Sequence, residues 1–414
     1  MSWRRPAWAA SLLALVCASA VSAAGAGASN GRLLDFSADE RTRILAHGPW
    51  PPPPAADPGN ALAGRPAAIA LGRQLFFEPR LSAGARLACA SCHLPQRDFS
   101  DGRPRALGHA GQPLDRHTPS LLNAAQQRWW GWDGAFDSLW SQALQPLLSP
   151  QEMGGQPAAI ADLLHNDARL ACLWRQAHGQ APGADATSLL LPLAKALAAY
   201  VATLQSGRTP FDRFRDALAR GDRVEAARYP LAAQRGLRLF IGRGNCSLCH
   251  AGPLFSNGEF GDIGAPFFSR PGVVDPGRHG GIAALLASPY NLLGRFADKT
   301  ADKATGAAAD PALKTRHVLA QHRNFGEFKV PGLRNVARTA PYLHDGQKAT
   351  LGAVLDHYST LSPDRLHADG EQILKPLQLS GQERSDLLVF LASLSDPPAR
   401  RPVHAVTPHC PGAS

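Results

Sequence analysis

The chain has 414 residues, of which 44% are hydrophobic and 18% are charged, so it can fold as a globular protein of about two ordinary domains. Its formal net charge of +10 comes from scattered residues, and no segment resembles a nucleic-acid-binding module. A basic surface favours an acidic protein partner, although such an excess is also the ordinary property of a solvated surface. The 39 glycines and 35 prolines predict long loops.

The first 23 residues have the features of a secretory signal peptide. Arg4 and Arg5 are followed by an apolar run over 7–16, and a Val-Ser-Ala sequence ending at residue 23 offers a cleavage site. The run is shorter than the ~20 apolar residues of a membrane span, and no other segment could cross a bilayer. The sequence therefore predicts export to the periplasm, with no membrane span after the signal is removed.

Helical patterns dominate the chain after a proline-rich extension at 24–60. Apolar residues recur at helical spacing in four segments, at 67–77, 138–148, 188–207 and 232–242. The third is predicted to end at a glycine cap, Gly207, and Ser380 with Glu383 forms a capping box that predicts the start of a last helix. Strand-like runs are scarce, and the region 251–330 is predicted to be irregular. These patterns predict a mainly α protein made of two related halves.

Each half contains a Cys-x-x-Cys-His sequence. The two copies are Cys89-Ala-Ser-Cys92-His93 and Cys246-Ser-Leu-Cys249-His250. In this pattern the two thiols add to the vinyl groups of one porphyrin, and the adjacent histidine ligates its iron. The sequence therefore predicts two covalently bound haem c groups, one in each half.

Two other interpretations of these cysteines fit the sequence less well. A zinc site would bring paired Cys-x-x-Cys sequences closer together along the chain, and a thioredoxin-like redox pair needs a βαβ context that is missing. We therefore assign cytochrome c-like haem domains to residues 61–225 and 226–398, followed by a tail at 399–414. Of the other cysteines, Cys17 leaves with the signal peptide, while Cys172 and Cys410 could form a disulfide or stay free.

The sixth ligand of each iron decides what a cytochrome can do. Methionine is the usual one in electron carriers, but after signal removal only Met153 remains, so two methionine-ligated haems are excluded by composition. A tyrosine stands out instead. Residues 351, 354, 355 and 358 recur at helical spacing, which places Tyr358 on the buried face of a predicted helix. His357 points about 100° away from that face.

With these residues in view, the chain resembles the bacterial di-haem cytochrome c peroxidase family, which includes MauG, over about residues 60–396. The resemblance rests on sequence blocks that are specific in combination: "LFFEPRLS…CASCH…DFSDGR" (75–103), "GHAGQPLDRHTPSLLN" (108–123), "GWDG" (131–134), "QPLLSPQEMG" (145–154) and "FKVPGLRNVARTAPYLHDGQKATL" (328–351). In this family the amino-terminal haem reacts with peroxide, and the carboxy-terminal haem stores or relays electrons.

The resemblance implies a peroxide site in the first half. Glu152 in "SPQEMG" matches the catalytic glutamate of the family, and Gln142 and Pro146 match other positions that line the pocket. Cleavage of a bound O–O bond needs a group that moves a proton from the inner to the outer oxygen, which a carboxyl group can do. Taken alone, Glu152 would more often be an exposed loop acid. Met153 beside it is interpreted as packing.

The resemblance also implies distal ligands. His109 in "LGHAG" matches the histidine that caps the first haem iron in resting peroxidases and that MauG lacks. Tyr358 matches the distal ligand of the second haem iron, which is methionine in the peroxidases and tyrosine in MauG. An anionic phenolate favours ferric iron and should lower the reduction potential. The alternatives are an exposed loop histidine and a core tyrosine with a satisfied hydroxyl.

Trp132 in "GWDG" matches a tryptophan that lies between the two haems and relays electrons by transient oxidation. MauG also uses a surface tryptophan two residues before its second Cys-x-x-Cys-His, where this chain has Gly244. The family holds a calcium ion through an asparagine and through carbonyls of a segment matched by Thr339 and Pro341. His117 replaces the asparagine, and an imidazole is a poor ligand for a hard cation, so the sequence leaves calcium open.

Three functions compete. The first is an exported di-haem peroxidase that reduces hydrogen peroxide with electrons from a small redox protein, a cytochrome c or a copper protein. The second is a MauG-like enzyme that uses peroxide to oxidise side chains of a partner protein, and the third is a pure electron carrier. Glu152 and Gln142 argue against the carrier, because it needs no proton-handling group. His109 and Gly244 favour the first function, and Tyr358 with Trp132 keeps the second open.

Overall fold

A computed structural model describes residues 32–54, 57, 59–265, 268–270, 272–298, 312–362, 373–397 and 410. The predicted signal peptide, the beginning of the proline-rich extension and most of the predicted tail lie outside these residues. Helices predominate among the described residues, which confirms the mainly α class. Within them, the helices are all too short or too polar to cross a bilayer.

The α-helices have the following bounds: α1 Ala38–Leu45, α2 Pro66–Phe76, α3 Cys89–Cys92, α4 Leu139–Leu148, α5 Pro157–Asn166, α6 Ala168–His178, α7 Ala186–Val201, α8 Pro210–Ala219, α9 Arg223–Ala226, α10 Leu231–Ile241, α11 Gly277–Ala287, α12 Leu313–Arg316, α13 Leu351–Ser359 and α14 Gly381–Ala392. Helices α2, α4 and α10 lie within one residue of the predicted segments. The capping box of Ser380 and Glu383 is present at the start of α14, as predicted.

Helix α7 ends earlier than its apolar pattern predicts. It stops at Val201, with Ala202 at its carboxy-terminal cap, so the prediction that Gly207 caps this helix is wrong. Gly207 has a different role, because its amide donates to Asp396 Oδ2 at 2.6 Å and thereby links the end of the first half to the segment after α14. The residues directly after Val201 bind Asn123 instead, whose amide donates to Leu204 O at 2.7 Å and whose Oδ1 accepts from the Ser206 amide at 2.9 Å.

The region 251–330 has more regular structure than its composition predicts. The strands β1 (Phe260–Gly261) and β4 (Phe328–Lys329) form one antiparallel pair, and β2 (Phe268–Arg270) with β3 (Val273–Val274) forms another. Helix α11 also lies here. Its glycines at 277, 280 and 281 hide the helical pattern in the sequence.

The buried apolar residues form two cores. The first is built mainly from α2 and from α4 to α7, and the second from α1, α8, α10 and α14. The second core includes Phe36 and Ile44, which precede the whole first half in the chain, and Phe211, which precedes the predicted boundary at 225. The two cores therefore do not follow chain order, and the predicted domain boundaries stay predictions.

Both halves contain the same close helix contact. A Cβ atom at Gly72 in α2 would lie 1.9 Å from the carbonyl oxygen of Ala196 in α7, and one at Gly236 in α10 would lie 2.1 Å from that of Asp386 in α14. Only glycine allows backbones to approach this closely. Each contact fixes the helix that leads into a Cys-x-x-Cys-His sequence, so equivalent packing positions both motifs.

Candidate active site

Each motif histidine is held by a backbone carbonyl. The Nδ1 atom of His93 donates to Phe99 O at 2.9 Å, and that of His250 donates to Phe255 O at 3.0 Å. Both phenylalanines have positive φ, 59° and 56°, which is uncommon for a bulky residue and marks a constrained site. Because Nδ1 is the donor, Nε2 is the nitrogen left for ligation, an arrangement common to metal-ligating histidines.

The backbone carbonyls of Pro119 and Pro331 also act on these two histidines. Burial lowers the pKa of His93 and of His250, which favours the neutral imidazole that metals bind, while the carbonyls of Pro119 and Pro331 act in the opposite direction. These prolines begin a Pro-x-Leu-x-Asn sequence that occurs in both halves, at 119–123 and 331–335. Inspection of the motifs alone missed this repeat, which a residue-by-residue comparison of the halves would find.

The motif thiols do not have the properties of a redox pair. Burial raises the pKa of Cys89 and of Cys246 to about 12, whereas thioredoxin-like chemistry needs a lowered thiol pKa. Among the described residues, no cluster of three or more His, Cys, Asp or Glu side chains could hold a metal ion, so the structure gives no support to a zinc site.

A cavity of about 1570 Å³ opens beside the second motif. Its lining includes Cys246, Cys249, His250, Tyr358 and Trp132. This volume exceeds the ~300–1,000 Å³ of common small-molecule pockets, so a porphyrin has room there. The thiols, the oriented imidazole and the cavity together fit a haem group.

Tyr358 lies on the predicted helix, α13, which begins after a Thr350 cap. Its side chain lines the cavity, and burial raises the phenol pKa, with the thiols of Cys246 and Cys249 adding to the effect. Tyr358 is therefore close to the second motif. The neighbouring His357 donates from Nε2 to Ile263 O at 2.7 Å, in a different direction.

Glu152 lies on the loop after α4 and faces the first motif. Burial raises the pKa of its carboxyl, partly offset by the Ser149 hydroxyl. Burial, Asp101 and Glu152 in turn raise the pKa of the Cys92 thiol to about 11, so Glu152 is close enough to affect that thiol. A half-buried carboxyl with a raised pKa is suited to taking up and returning a proton.

His109 packs on the same loop. Its amide donates to Glu152 O at 2.8 Å, and its ring Nε2 donates to Pro150 O at 3.0 Å. Because Nε2 contacts the Pro150 carbonyl in this conformation, ligation of the first iron by His109 stays a prediction that would need the ring to turn away from that carbonyl. The structure brings His109 to the predicted site, but as a residue that binds the Glu152 loop.

Gln142 and Pro146 are both on helix α4. The Gln142 Oε1 atom is buried and lacks a hydrogen-bond partner among the described residues, so it is an acceptor that a polar guest could satisfy. The Pro146 carbonyl accepts from the Met153 amide at 3.0 Å and so fixes the return of the Glu152 loop onto the helix. Met153 is buried in the first core, in agreement with a packing role.

Trp132 connects the cavity to the segment that contains His117. Its indole Nε1 donates to His117 O at 2.8 Å, and the His117 Nδ1 atom donates to Arg103 O at 2.8 Å. Thr339 and Pro341 line the same cavity. The His117 ring is already bound to the Arg103 carbonyl and offers no oxygen ligand. The residues that match the calcium site of the family therefore do not fit that ion well.

The two remaining cysteines form a disulfide between Cys172 on α6 and Cys410. This bond decides between the two alternatives left open by the sequence. It ties residue 410 to the first core, although the residue follows the second half in the chain.

The chain is similar to known proteins over most of its length. Residues 66–220 match the family model of di-haem cytochrome c peroxidase. The methylamine utilization protein MauG of Methylorubrum extorquens is 35% identical over 334 residues, which are 81% of this chain and 80% of that protein. Cytochrome-c peroxidase IdrP1 of a Pseudomonas species is 30% identical over 355 residues, which are 84% of this chain and 85% of that one.

A solved structure shares the fold. A MauG-like protein associated with microbial copper homeostasis aligns with a TM-score of 0.61 at 25% identity, over 84% of this chain and 96% of that one. The relatives thus include both peroxidases and MauG proteins, and the similarity covers most of each chain. The chain therefore belongs to the di-haem cytochrome c peroxidase family, and it is an oxidoreductase of the peroxidase type.

Proposed function

We propose that the protein is an exported, periplasmic peroxidase that reduces hydrogen peroxide to water with electrons from a small redox protein, a cytochrome c or a copper protein. Electrons enter at the carboxy-terminal half and are used at the amino-terminal half. The observation that carries this proposal is the half-buried Glu152, whose carboxyl pKa is raised and whose charge acts on Cys92 of the first motif.

The chain offers a complete set of groups for two covalently bound haems. Cys89 and Cys92 would form the thioether bonds of the first, with His93 on its iron, and the second motif would hold the other in the same way. When bound, the haem groups supply the redox-active irons and the binding site for peroxide. The carbonyls of Phe99 and Phe255 orient the two imidazoles through Nδ1.

Glu152 and Gln142 act on peroxide in this proposal. The raised pKa of Glu152 lets its carboxyl take a proton from the inner peroxide oxygen and return it to the outer one. Gln142 Oε1, which has no hydrogen-bond partner in the described part of the chain, can accept a hydrogen bond from the same guest and so orient it. The Pro146 carbonyl accepts from the Met153 amide and thereby fixes the position of the Glu152 loop relative to α4.

Tyr358 and Trp132 serve electron transfer. Tyr358 lies beside the second motif and is the candidate distal ligand of that iron. Trp132 lines the same cavity, and its bond to His117 O holds the indole in one orientation. An indole held in this way is suited to passing an electron between the halves.

A MauG-like oxidation of a partner protein is the second candidate, favoured by Tyr358. The backbone at Gly244 does not favour electron transfer through a surface tryptophan as in MauG, because a Cβ atom there would lie 2.8 Å from Leu239 O. A tryptophan at that position would need the backbone to move. The chain thus lacks room for the surface tryptophan that MauG uses to reach its partner.

Steady-state assays can separate the two candidates. The purified holoprotein is given peroxide together with a reduced cytochrome c or a reduced copper protein, and oxidation of the donor is followed. We expect two donor molecules oxidised per peroxide when the donor carries one electron. Peroxide consumption without donor oxidation, but with new oxidised side chains on a co-purifying protein, would favour the second candidate.

A further inference from the structure

We infer that the amino-terminal segment 32–50 is a positioning element for the second Cys-x-x-Cys-His site, and that His47 is the residue through which it acts. The inference rests on the proposed function, because it takes His250 as the iron ligand of a second haem. It assigns a role to a segment that the sequence presents only as a proline-rich extension.

The segment is anchored on the helix that leads into the second motif. Phe36 and Ile44 are buried in the second core. The Leu34 amide donates to Gln234 Oε1 at 2.8 Å, and Arg43 donates to the carbonyl of Ile241, the last residue of α10, at 3.0 Å. These contacts hold the segment against α10, the helix that leads into the second Cys-x-x-Cys-His motif.

His47 is the deepest polar residue of the segment, with 2% of its surface exposed. Its ring stacks on that of Phe255, with centroids 4.5 Å apart and an angle of 8° between the planes. Its Nδ1 atom donates to Gly252 O at 3.2 Å. Burial lowers the pKa of His47 to about 4, so the ring is neutral at pH 7 and remains a stacking partner and donor.

These contacts fix the turn that orients the iron ligand. The Phe255 carbonyl is the acceptor for His250 Nδ1, and Phe255 holds its positive φ of 56° only if its surroundings enforce it. His47 helps to enforce this conformation of Phe255 by stacking on its ring and by binding the Gly252 carbonyl. The contacts therefore run from His47 through Phe255 to His250.

Arg334 also holds this turn. Its Nε atom donates to Pro253 O at 2.6 Å, and its guanidinium forms a buried, two-bond ion pair with Asp212. The indole of Trp50, also in the amino-terminal segment, lies over this guanidinium at 3.5 Å. Two residues of the segment, His47 and Trp50, thus act on one turn.

The first motif uses different supports, which makes the inference specific. Its equivalent turn contains Asp98 and Phe99, and Asp98 is bound by the Ser120 hydroxyl through its carbonyl and by Arg338 through its carboxylate. A change at His47 should therefore alter the second haem and leave the first one as it is.

The direction in which the reduction potential of the second haem should change follows from the hydrogen bond of its histidine ligand. A hydrogen bond from the Nδ1–H of a ligating histidine to a fixed carbonyl increases the basicity of the ligand, and this electron donation stabilises ferric iron. Loosening the 252–255 turn weakens the bond, so the reduction potential of the second haem should rise.

Two substitutions divide the contributions of His47. His47→Phe keeps an aromatic ring for the stack but removes the donor to Gly252, and His47→Ala removes both. The matched control is His178→Phe, because the ring of His178 lies tilted against that of Trp174, with centroids 4.3 Å apart, in the first half and away from the second motif. The potentials of both haems are measured on the holoproteins by spectroelectrochemical titration, with electron paramagnetic resonance spectra of the ferric forms.

We expect His47→Ala to raise the potential of the second haem by about 59 mV, which corresponds to a tenfold shift of a one-electron couple, and His47→Phe to raise it by less. The first haem and the control should not change. Equal shifts of both haems, or an unshifted second haem in folded His47→Phe protein, would overturn the inference. Wild-type protein with two haems but no peroxidase activity would instead overturn the proposed function, while the potentials would still test His47.

Discussion

Tyr358 and His357 are consecutive residues of helix α13, yet they face different surroundings. Tyr358 lines the cavity with Cys246 and Cys249, whereas His357 donates from Nε2 to Ile263 O at 2.7 Å. The periodicity of the helix predicts this difference, because only the tyrosine shares a face with the apolar residues at 351, 354 and 355. The two residues therefore form a natural pair for testing which one reaches the second iron.

Tyr358→Phe should remove the distal ligand of the second haem while keeping the ring volume, so the helix still packs. Losing an anionic ligand should raise the reduction potential of that haem by at least about 59 mV, a tenfold shift for a one-electron couple. Its ferric spectrum should change to that of a five-coordinate or water-bound iron. His357→Ala is the control and should leave that spectrum unchanged. If the control alters the second haem and Tyr358→Phe does not, His357 is the ligand.

Covalent attachment can be tested by haem content. The wild-type chain should contain two haems in a pyridine haemochrome assay, and neither should be extracted by acid acetone. The double substitution Cys246→Ala with Cys249→Ala should leave one haem, because Cys89 and Cys92 still attach the other. A wild-type protein that contains one haem, or that releases its haem, would contradict the assignment.

Glu152→Gln tests the proton-transfer group. The substitution keeps the size and the hydrogen bonding but removes the ionisable carboxyl, and general acid–base catalysis typically contributes 10²–10⁴-fold. Peroxide turnover should therefore fall by about that factor while both haems stay bound. The control is Glu225→Gln, since Glu225 pairs with Arg228 on the surface of the short helix α9. Unchanged turnover in Glu152→Gln would assign proton transfer to another group.

His178 predicts a dependence of stability on pH. Burial, with Arg65 nearby, lowers the pKa of its imidazole to about 4 in the folded protein, against 6.5 in the unfolded chain. Between these values the unfolded state binds more protons, so the free energy of unfolding should fall as the pH is lowered from 6.5 to 4. His178→Phe should reduce the dependence of the free energy of unfolding on pH between 4 and 6.5, as measured by urea denaturation at a series of pH values. A slope that is the same in both proteins would show that His178 is not its source.

The disulfide between Cys172 and Cys410 should stabilise the folded chain. Cross-links of this kind typically contribute about 2–4 kcal/mol, so Cys172→Ser should lower the free energy of unfolding by that amount and lower the Tm. Adding a reductant should destabilise the wild type to a similar degree. It should have no further effect on Cys172→Ser, and a further loss there would mean that the reductant acts elsewhere.

The parts of the site that depend on covalent chemistry could be predicted from the sequence. Haem attachment needs two thiols and a histidine at one spacing, and the position of Tyr358 follows from the period of a single helix. The carbonyls of Phe99 and Phe255 could not be predicted, because they depend on the backbone conformation of two turns and any residue type supplies a carbonyl. Only the repeated Pro-x-Leu-x-Asn sequence hinted at a common support.

Long-range packing explains the other differences. The residues that follow the end of α7 at Val201 bind Asn123, which is about 80 positions earlier in the chain, and helix α11 is hidden by its glycines. The amino-terminal segment reads as a linker because a run of four prolines, at 51–54, follows it directly. Its burial in the second core depends on residues about 200 positions away, such as Gln234, which local patterns do not reveal.

The burial of Phe36 and Ile44 in the second core has a consequence for the order of folding. Their core also contains Leu387 and Phe390 of α14, so it can close only when nearly the whole chain has been synthesised. The first core can largely form once Val201 has been made. In the exported chain proposed above, which emerges amino terminus first, the segment that contains His47 is thus among the earliest to appear and the last to be covered. We expect it to stay accessible to proteases and chaperones until the final helix arrives.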